Sequence, residues 1–435
     1  MTGERVLWRN WAGNVTARPV RVAEPSSAGE LARIVAAAAE DGLTVKPVGT
    51  GHSFSATATT DGVLIRPGRL TGIVAVDHTA GAVTVAMGMT LSRLNADLAA
   101  EGLSLANMSD IMEQTAAGAV STGTHGTGRD SASLSAQITA LQLVTGDGSL
   151  LTCSKSEHPE VFAAARVGLG ALGVITSVTF AAEPLFLLTA REEPMPFDRV
   201  TAEFDKLAAD NEHFEFYWFP HTGNCNTKRN NRSAGPRAPV SGISRWVEDE
   251  LLSNGMFQLV CTFGKAVPAA IPGIARLSSR VLSARTYTDI PYRVLTSPRR
   301  VRFVEMEYAV PREAAVDALC EVRAMIERSS LRIGFPVEVR TAPADDIPLS
   351  MASGRDTAYI AVHMYRGAPY RTYFTTVERI MTAHGGRPHW GKLHSRGAEY
   401  LAGVYPRFGE FTALRDRLDP QRVFGNPYLR RVLGD

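Results

Sequence analysis

The sequence predicts an α+β fold in two domains, and three observations carry that reading. The chain has 435 residues, enough to bury two cores. Three glycine-rich runs fall in its first 180 residues: KPVGTGHSFS at 46–55, AGAVSTGTHGTG at 117–128 and GLGALGVITSVTF at 168–180. Beyond them, β-branched and aromatic runs alternate with helical patterns, as in a sheet carrying helices on one face.

Taken in order, the first helix lies in SSAGELARIVAAAAEDG. Ser27 and Glu30 form a capping box, Leu31, Ile34, Val35 and Ala38 make the apolar stripe, and Gly42 ends it. Short β-type runs follow at 62–67, 72–77 and 82–88. Thr90 caps a helix carrying Leu91, Leu94 and Leu98, which Gly102 stops. A hairpin turns through Gly146–Asp147–Gly148, and a helix lies near 158–167. Residues 1 to about 182 thus form one nucleotide-binding unit. FEFYWFP at 214–220 reads as an aromatic strand, and the polar stretch 224–242 as a surface excursion. Helices are expected at 241–256, 267–283 and 312–329, and strands at 301–311, 335–343 and 357–366. RRVRF at 299–303 reads as an edge strand with solvated arginines. From about Phe408 a last helix precedes a loop, DPQRVFGNPYLRRVL.

Composition narrows the function. Apolar content of 45% and charged content of 21% suit a globular protein, and a formal net charge of +2 argues against a nucleic-acid surface. Cys153, Cys225, Cys261 and Cys320 show no metal or CxxC spacing, so reduced thiols in the cytoplasm are expected. The opening residues lack the apolar core of a signal peptide, and no apolar run reaches the roughly 18–20 residues that span a bilayer.

The glycine runs point to a ligand. Val48 leads into Gly49, Thr50 and Gly51, a turn whose backbone N–H groups can approach a diphosphate, with His52 and Ser53 beside it. A tight turn with a solvated histidine would read the same. The second run, with Gly118, Ser121, Thr122, Gly123, His125 and Gly126, suits a backbone wrapped round a ligand. It is neither a Walker loop nor GxGxxG opening a helix. The third brings Gly173, Val174 and Ile175 before a strand. Together the runs resemble the flavoprotein superfamily of vanillyl-alcohol oxidase and p-cresol methylhydroxylase. That resemblance implies FAD, its diphosphate cradled by the first two runs, and a covalent bond from His52 to the flavin 8-methyl.

Three further clusters could carry chemistry. Glu338 and Arg340 share a strand face, where they form either a site holding vicinal hydroxyls or an exposed ion pair. His363 lies on a strand whose other face holds Ala358, Ile360, Val362 and Met364; such a histidine is either structural or catalytic. RPHWGKLH at 387–394 sets Lys392 beside Trp390, as a fixed cation next to a planar ligand or as a surface cation–π contact. His384, His389 and His394 lie five apart, a spacing that suits no metal site well.

With the Glu-x-Arg strand, the histidine strand, HWGK, WRNWAGN, VEMEYAVP and FGNPYLRRVL, the chain resembles end to end the sugar-1,4-lactone oxidoreductase branch of that superfamily. The branch contains gulonolactone and arabinonolactone oxidases and dehydrogenases and the alditol and xylitol oxidases. It implies an FAD-binding domain at 1–182, a sheet-plus-helices substrate domain at 183–405, and a segment 406–435 returning to the first domain. It places Glu338, Arg340, His363 and Lys392 around the substrate above the flavin, with Lys392 also at the flavin N1–C2=O edge. The implied reaction is oxidation of a sugar lactone at its C2 hydroxyl by hydride transfer to flavin N5, with electrons passing to an acceptor or to oxygen. His125 is expected to organise the FAD loop. Two departures matter. Ser109 stands at the flavin C4a–N5 edge, where oxidases often carry a smaller or differently shaped residue, and Asp110 stands where alditol oxidases have serine. Oxidation of an open-chain polyol or of a sugar unit in a specialised metabolite is the alternative, and a metal-dependent hydrolase using the three histidines a distant one.

Overall fold

The computed structural model describes residues 6–130, 133–241, 255–280 and 283–435. The helix expected at 241–256 falls almost wholly outside them.

The first part of the chain builds two small sheets on one core. Parallel strands Arg21–Ala23 and Val45–Pro47 flank Val63–Ile65. An antiparallel sheet follows the order Leu150–Ser154, Ile138–Val144, Val174–Ala181, Ala82–Ala86, Ile73–Asp77. Helix Ala28–Glu40 starts where the Ser27 hydroxyl accepts from the Glu30 N–H (3.1 Å) and buries Leu31, Val35 and Ala38. Gly42, at φ +65°, turns the chain out of that helix. Helix Leu91–Ala100 is capped by Thr90 in the same manner. The C-terminal helices Ala398–Val404, Phe408–Leu418 and Pro427–Leu433 pack on this core through Leu401, Phe411, Leu414 and Val432.

The second part is an eight-stranded antiparallel sheet. Its order is Arg285–Asp289, Leu188–Pro196, Asn224–Arg232, His213–Trp218, Val337–Ala342, Thr357–Tyr365, Phe303–Pro311, Arg387–Pro388. Alternation along four of these strands divides polar from apolar. Phe214, Phe216, Val337, Val339, Ile360, Val362, Val304 and Met306 join the core under helices Ala315–Arg328 and Arg371–Ala383. The intervening positions put Glu215, Glu338, Arg340, His363, Glu305 and Glu307 on the other face, all buried.

Three expectations fail. Residues 224–232 are not a surface excursion but a nine-residue strand paired on both sides. Its polar residues find partners there: Thr227 donates to the Glu193 carbonyl (2.9 Å), Asn231 to Asn211 (2.8 Å), and Lys228 faces Glu215 (3.6 Å). RRVRF is no edge strand, since the strand begins at Phe303 and lies between two others, leaving Arg299 in the preceding loop. The closing loop contains helix Pro427–Leu433, started by Asn426, whose side chain accepts from the Leu429 N–H (2.8 Å), with Pro427 at its first turn.

Candidate active site

Two connected cavities lie between the glycine runs and the polar face of the large sheet. The first, of about 850 Å³, has Val48, Gly49, Thr50, Gly51, His52 and Ser53 on one wall and Gly118, Ser121 and Thr122 on another. Gly170, Gly173 and Ile175 close it. Gly123, Gly126 and Val174 sit behind these walls. A side chain at Gly126 would run into the Met108 carbonyl, and Val174 is fully buried in the core. Gly51 (φ +75°) and Gly170 (φ +59°) hold left-handed backbone, and a Cβ at Gly49 would collide with Thr115. Only glycine lets the 49–51 turn lie this close to helix Ala116–Ser121. A long cleft walled by small residues and main chain fits a dinucleotide.

His52 stacks on Trp11 (centroids 5.3 Å apart), and burial pushes its pKa down. It lines both cavities, as do Ser53, Gln114 and Thr122. Lys46, not anticipated, also lines the first. Its ammonium donates to the carbonyls of Gly170 (2.9 Å) and Phe424 (3.2 Å), tying the third glycine run to the C-terminal segment. Burial brings its pKa down to about 7.

The second cavity, about 670 Å³, is walled by polar and titratable side chains. Glu338, Arg340, His363, Lys392, Ser109 and His125 all line it. Arg340 Nε donates to Glu215 Oε2 (2.7 Å) and Nη2 pairs with Glu338 Oε1, which also accepts from the Tyr217 hydroxyl (3.2 Å). Burial alone would raise the Glu215 pKa, but the charges of Arg340 and Lys228 overcome it and hold it low. On the neighbouring strands, Lys392 Nζ bridges Glu305 and Glu307 Oε2 (2.7 Å). His363 Nε2 lies 3.2 Å from Glu305, and His125 Nε2 is 2.6 Å from Glu307 Oε1. Despite burial, Lys392 and His363 bring Glu305 down to about 2. Its two carboxylates outweigh desolvation to hold the Lys392 pKa above its usual value. At the rim, Asp110 accepts from Arg299 (Nε at 2.9 Å) and from Ser297 Oγ (2.7 Å), while the Ser109 hydroxyl donates to the Ile111 carbonyl (2.8 Å).

The sequence reading missed Arg299 and Glu305 in the pocket wall, and Glu215, Tyr217 and Glu307, which bond the wall residues Arg340, Glu338 and Lys392. A usable signal existed for two of them: in VEMEY both glutamates alternate with apolar residues, so a strand burying one face must gather both carboxylates on the other. The three C-terminal histidines do not form a metal centre. His384 faces Glu321 (3.1 Å), His394 bonds the Tyr428 hydroxyl (3.0 Å), and His389 Nδ1 accepts from the Gly391 N–H (3.0 Å). Among the described residues, donor atoms cluster closely enough for a metal at His125, Glu307 and His389, but the two Glu307 oxygens already hold His125 and Lys392.

A dinucleotide cleft opening into a charged pocket is the arrangement of an FAD-dependent oxidoreductase, and the comparisons agree. Residues 19–154 match the FAD binding domain family, and residues 178–432 match the D-arabinono-1,4-lactone oxidase family. The chain is 44% identical to the L-gulono-1,4-lactone dehydrogenase of Mycobacterium tuberculosis, covering 98% of this chain and 99% of that one. It is 34% identical to the L-gulonolactone oxidase of Bos taurus and 32% to an alditol oxidase of a Streptomyces species, each covering 98% of both chains. Cholesterol oxidase from B. sterolicum shares the fold, with a TM-score of 0.82 at 18% identity over 99% of this chain and 97% of that one. The chain belongs to the D-arabinono-1,4-lactone oxidase family, and FAD is its cofactor.

Proposed function

We propose that this chain dehydrogenates a sugar-1,4-lactone of the gulono type at its C2 hydroxyl and passes the electrons to an acceptor other than oxygen. The observation that carries the reading is the Glu338–Arg340 fork on the wall of a pocket that shares His52, Ser53, Gln114 and Thr122 with the FAD cleft. FAD, when bound, supplies the two-electron acceptor for the substrate C–H bond.

The residues divide the remaining work. Arg340 spends two of its donors on Glu215 and Glu338; its remaining N–H groups orient the C2 hydroxyl. The Tyr217 and Arg340 contacts of Glu338 fall on Oε1, and Oε2 takes the hydroxyl proton. Lys392, fixed between two carboxylates, offers a placed cation where negative charge develops. His52, at the junction of the cavities, is the point of covalent flavin attachment. The Asp110–Arg299 pair occupies the rim where a serine would suit an open-chain polyol, which favours the lactone over the alditol reading. The domain division is 1–182, 183–405 and 406–435. We place the chain in the cytoplasm: its four cysteines are all unpaired, and no described helix is long and apolar enough to cross a membrane. Anaerobic mixing with L-gulono-1,4-lactone, D-arabinono-1,4-lactone and xylitol tests the assignment. The gulono-lactone should reduce the flavin fastest; reduction by xylitol alone would overturn it.

A further inference from the structure

His125 was expected only to organise a loop, but its surroundings give it an electrical task. Lys392 faces two carboxylates, Glu305 and Glu307, each almost wholly shielded from solvent. Lys392 is shared between both carboxylates and His363 stands only against Glu305, so Glu307 is left without a cation of its own in a closed space, a costly arrangement. The second partner of Glu307 is His125, whose Nε2 lies 2.6 Å from Oε1. The other ring nitrogen, Nδ1, lies 2.9 Å from the Gly126 carbonyl oxygen. A carbonyl and an ionised carboxylate can only accept, so both contacts are satisfied only by a ring bearing N–H on both nitrogens. Turning the ring over would put carbon against Glu307 and lose the shorter bond. The Tyr359 ring stacks on the imidazole at 3.6 Å and 15°, a face that favours a cation. The neighbouring His389 differs, because its Nδ1 accepts from the Gly391 N–H and so carries no proton.

We infer that His125 is a fixed imidazolium that neutralises Glu307, so that Lys392 and His125 together set how strongly the site favours reduced flavin. His125 thereby acts as a positioning residue, through its contact with Glu307 and, across that carboxylate, with Lys392. Lys392 and His125 both line the pocket that opens onto the FAD cleft. The inference rests on the proposed function for the flavin ring lying at that junction. His363 faces Glu305 at 3.2 Å, and its state is common to all the variants compared below.

Two measurements test it. In 15N-histidine-labelled holoenzyme, NMR should show both His125 ring nitrogens protonated from pH 6 to 8. The signals are assigned by their loss in His125→Gln and by their shift in Glu307→Gln. A neutral-ring pattern overturns the inference even if the His125 variant fails to fold. Redox titration of the bound flavin supplies the second readout. His125→Gln should bias the two-electron couple towards oxidised flavin by about tenfold, a fall of about 30 mV. Replacing Glu307 as well, in His125→Gln/Glu307→Gln, removes the orphaned anion and should return the potential towards that of the wild type. An unchanged potential in the single variant, or a further fall in the double, overturns the charge role. If the potentials follow this pattern but no lactone reduces the flavin, the functional reading fails and the assignment of His125 stands.

Discussion

The FAD cleft is walled by main chain and small side chains, whereas the pocket it opens into is walled by Asp110, Arg299, Glu305, Glu338, Arg340 and Lys392, with Glu215 and Glu307 bonding Arg340 and Lys392 from behind. The first binds by letting backbone approach; the second works by holding charge in a space that water does not screen. A cleft of the first kind tolerates a change of charge but not of size. A pocket of the second kind tolerates small changes of size but not the loss of one partner, which leaves the other buried and unpaired.

The largest effect separating the two should come from His52, which belongs to both. Wild-type protein precipitated with acid should keep its yellow colour in the pellet, while His52→Ala should release all of its flavin and remain folded. Flavin in the wild-type supernatant would count against the covalent bond without touching FAD binding. Next, Arg340→Ala should retain bound FAD yet lose roughly 2–4 kcal/mol of transition-state stabilisation. Stopped-flow reduction by lactone then slows by about 30- to 1000-fold; a rate within threefold of the wild type would remove Arg340 from the chemistry.

A smaller effect separates the regions by pH. Burial holds His389 near 3, below the 6.5 of an exposed imidazole. Between those values the folded chain binds fewer protons than the unfolded one, so stability falls as pH drops from 6.5 towards 3. One such group contributes a slope of up to about 1.4 kcal/mol per pH unit. Urea unfolding of His389→Gln should show a shallower decline between pH 6.5 and 4.5, the share of His394, also held near 3, remaining. Glu305 has its pKa lowered to about 2, so its own loss begins only below 4.5. An identical slope in the variant would place the acid sensitivity elsewhere. The smallest effect concerns the oxidant. Ser109 is buried with its hydroxyl fixed on Ile111, and Ser109→Gly should raise peroxide formation in air relative to dye reduction. Wild-type protein oxidised by air as fast as by dye would end that idea.

The same contrast explains what the sequence disclosed. The cofactor cleft is written in contiguous runs, because a backbone that must approach a ligand advertises itself as clustered glycine. Both N-terminal helices were equally legible, since Ser27 and Thr90 cap them locally. The pocket was legible only in part: strand alternation put Glu338 and Arg340 on one face, and the family resemblance gave them, His363 and Lys392 a role. Glu215 and Arg299 come from a strand and a loop far apart in the chain, and nothing near either one says that Arg340 or Asp110 will face it. Strand Asn224–Arg232 was hidden for a related reason: its polar residues look solvated until Glu193, Asn211 and Glu215 are seen opposite them. Helix Pro427–Leu433 was hidden by its own signals, as Gly425, Asn426 and Pro427 read as a turn but here begin a helix.

The central claim is that the charged pocket presents a sugar lactone to flavin held in the glycine cleft. Anaerobic titration of the purified yellow protein with L-gulono-1,4-lactone tests it most directly, followed by the flavin absorbance. Stoichiometric bleaching is expected in the wild type, and almost none on the same timescale in Arg340→Ala carrying a full complement of FAD. A flavin that stays oxidised in the wild type under excess lactone, or that bleaches equally fast in both, would contradict it.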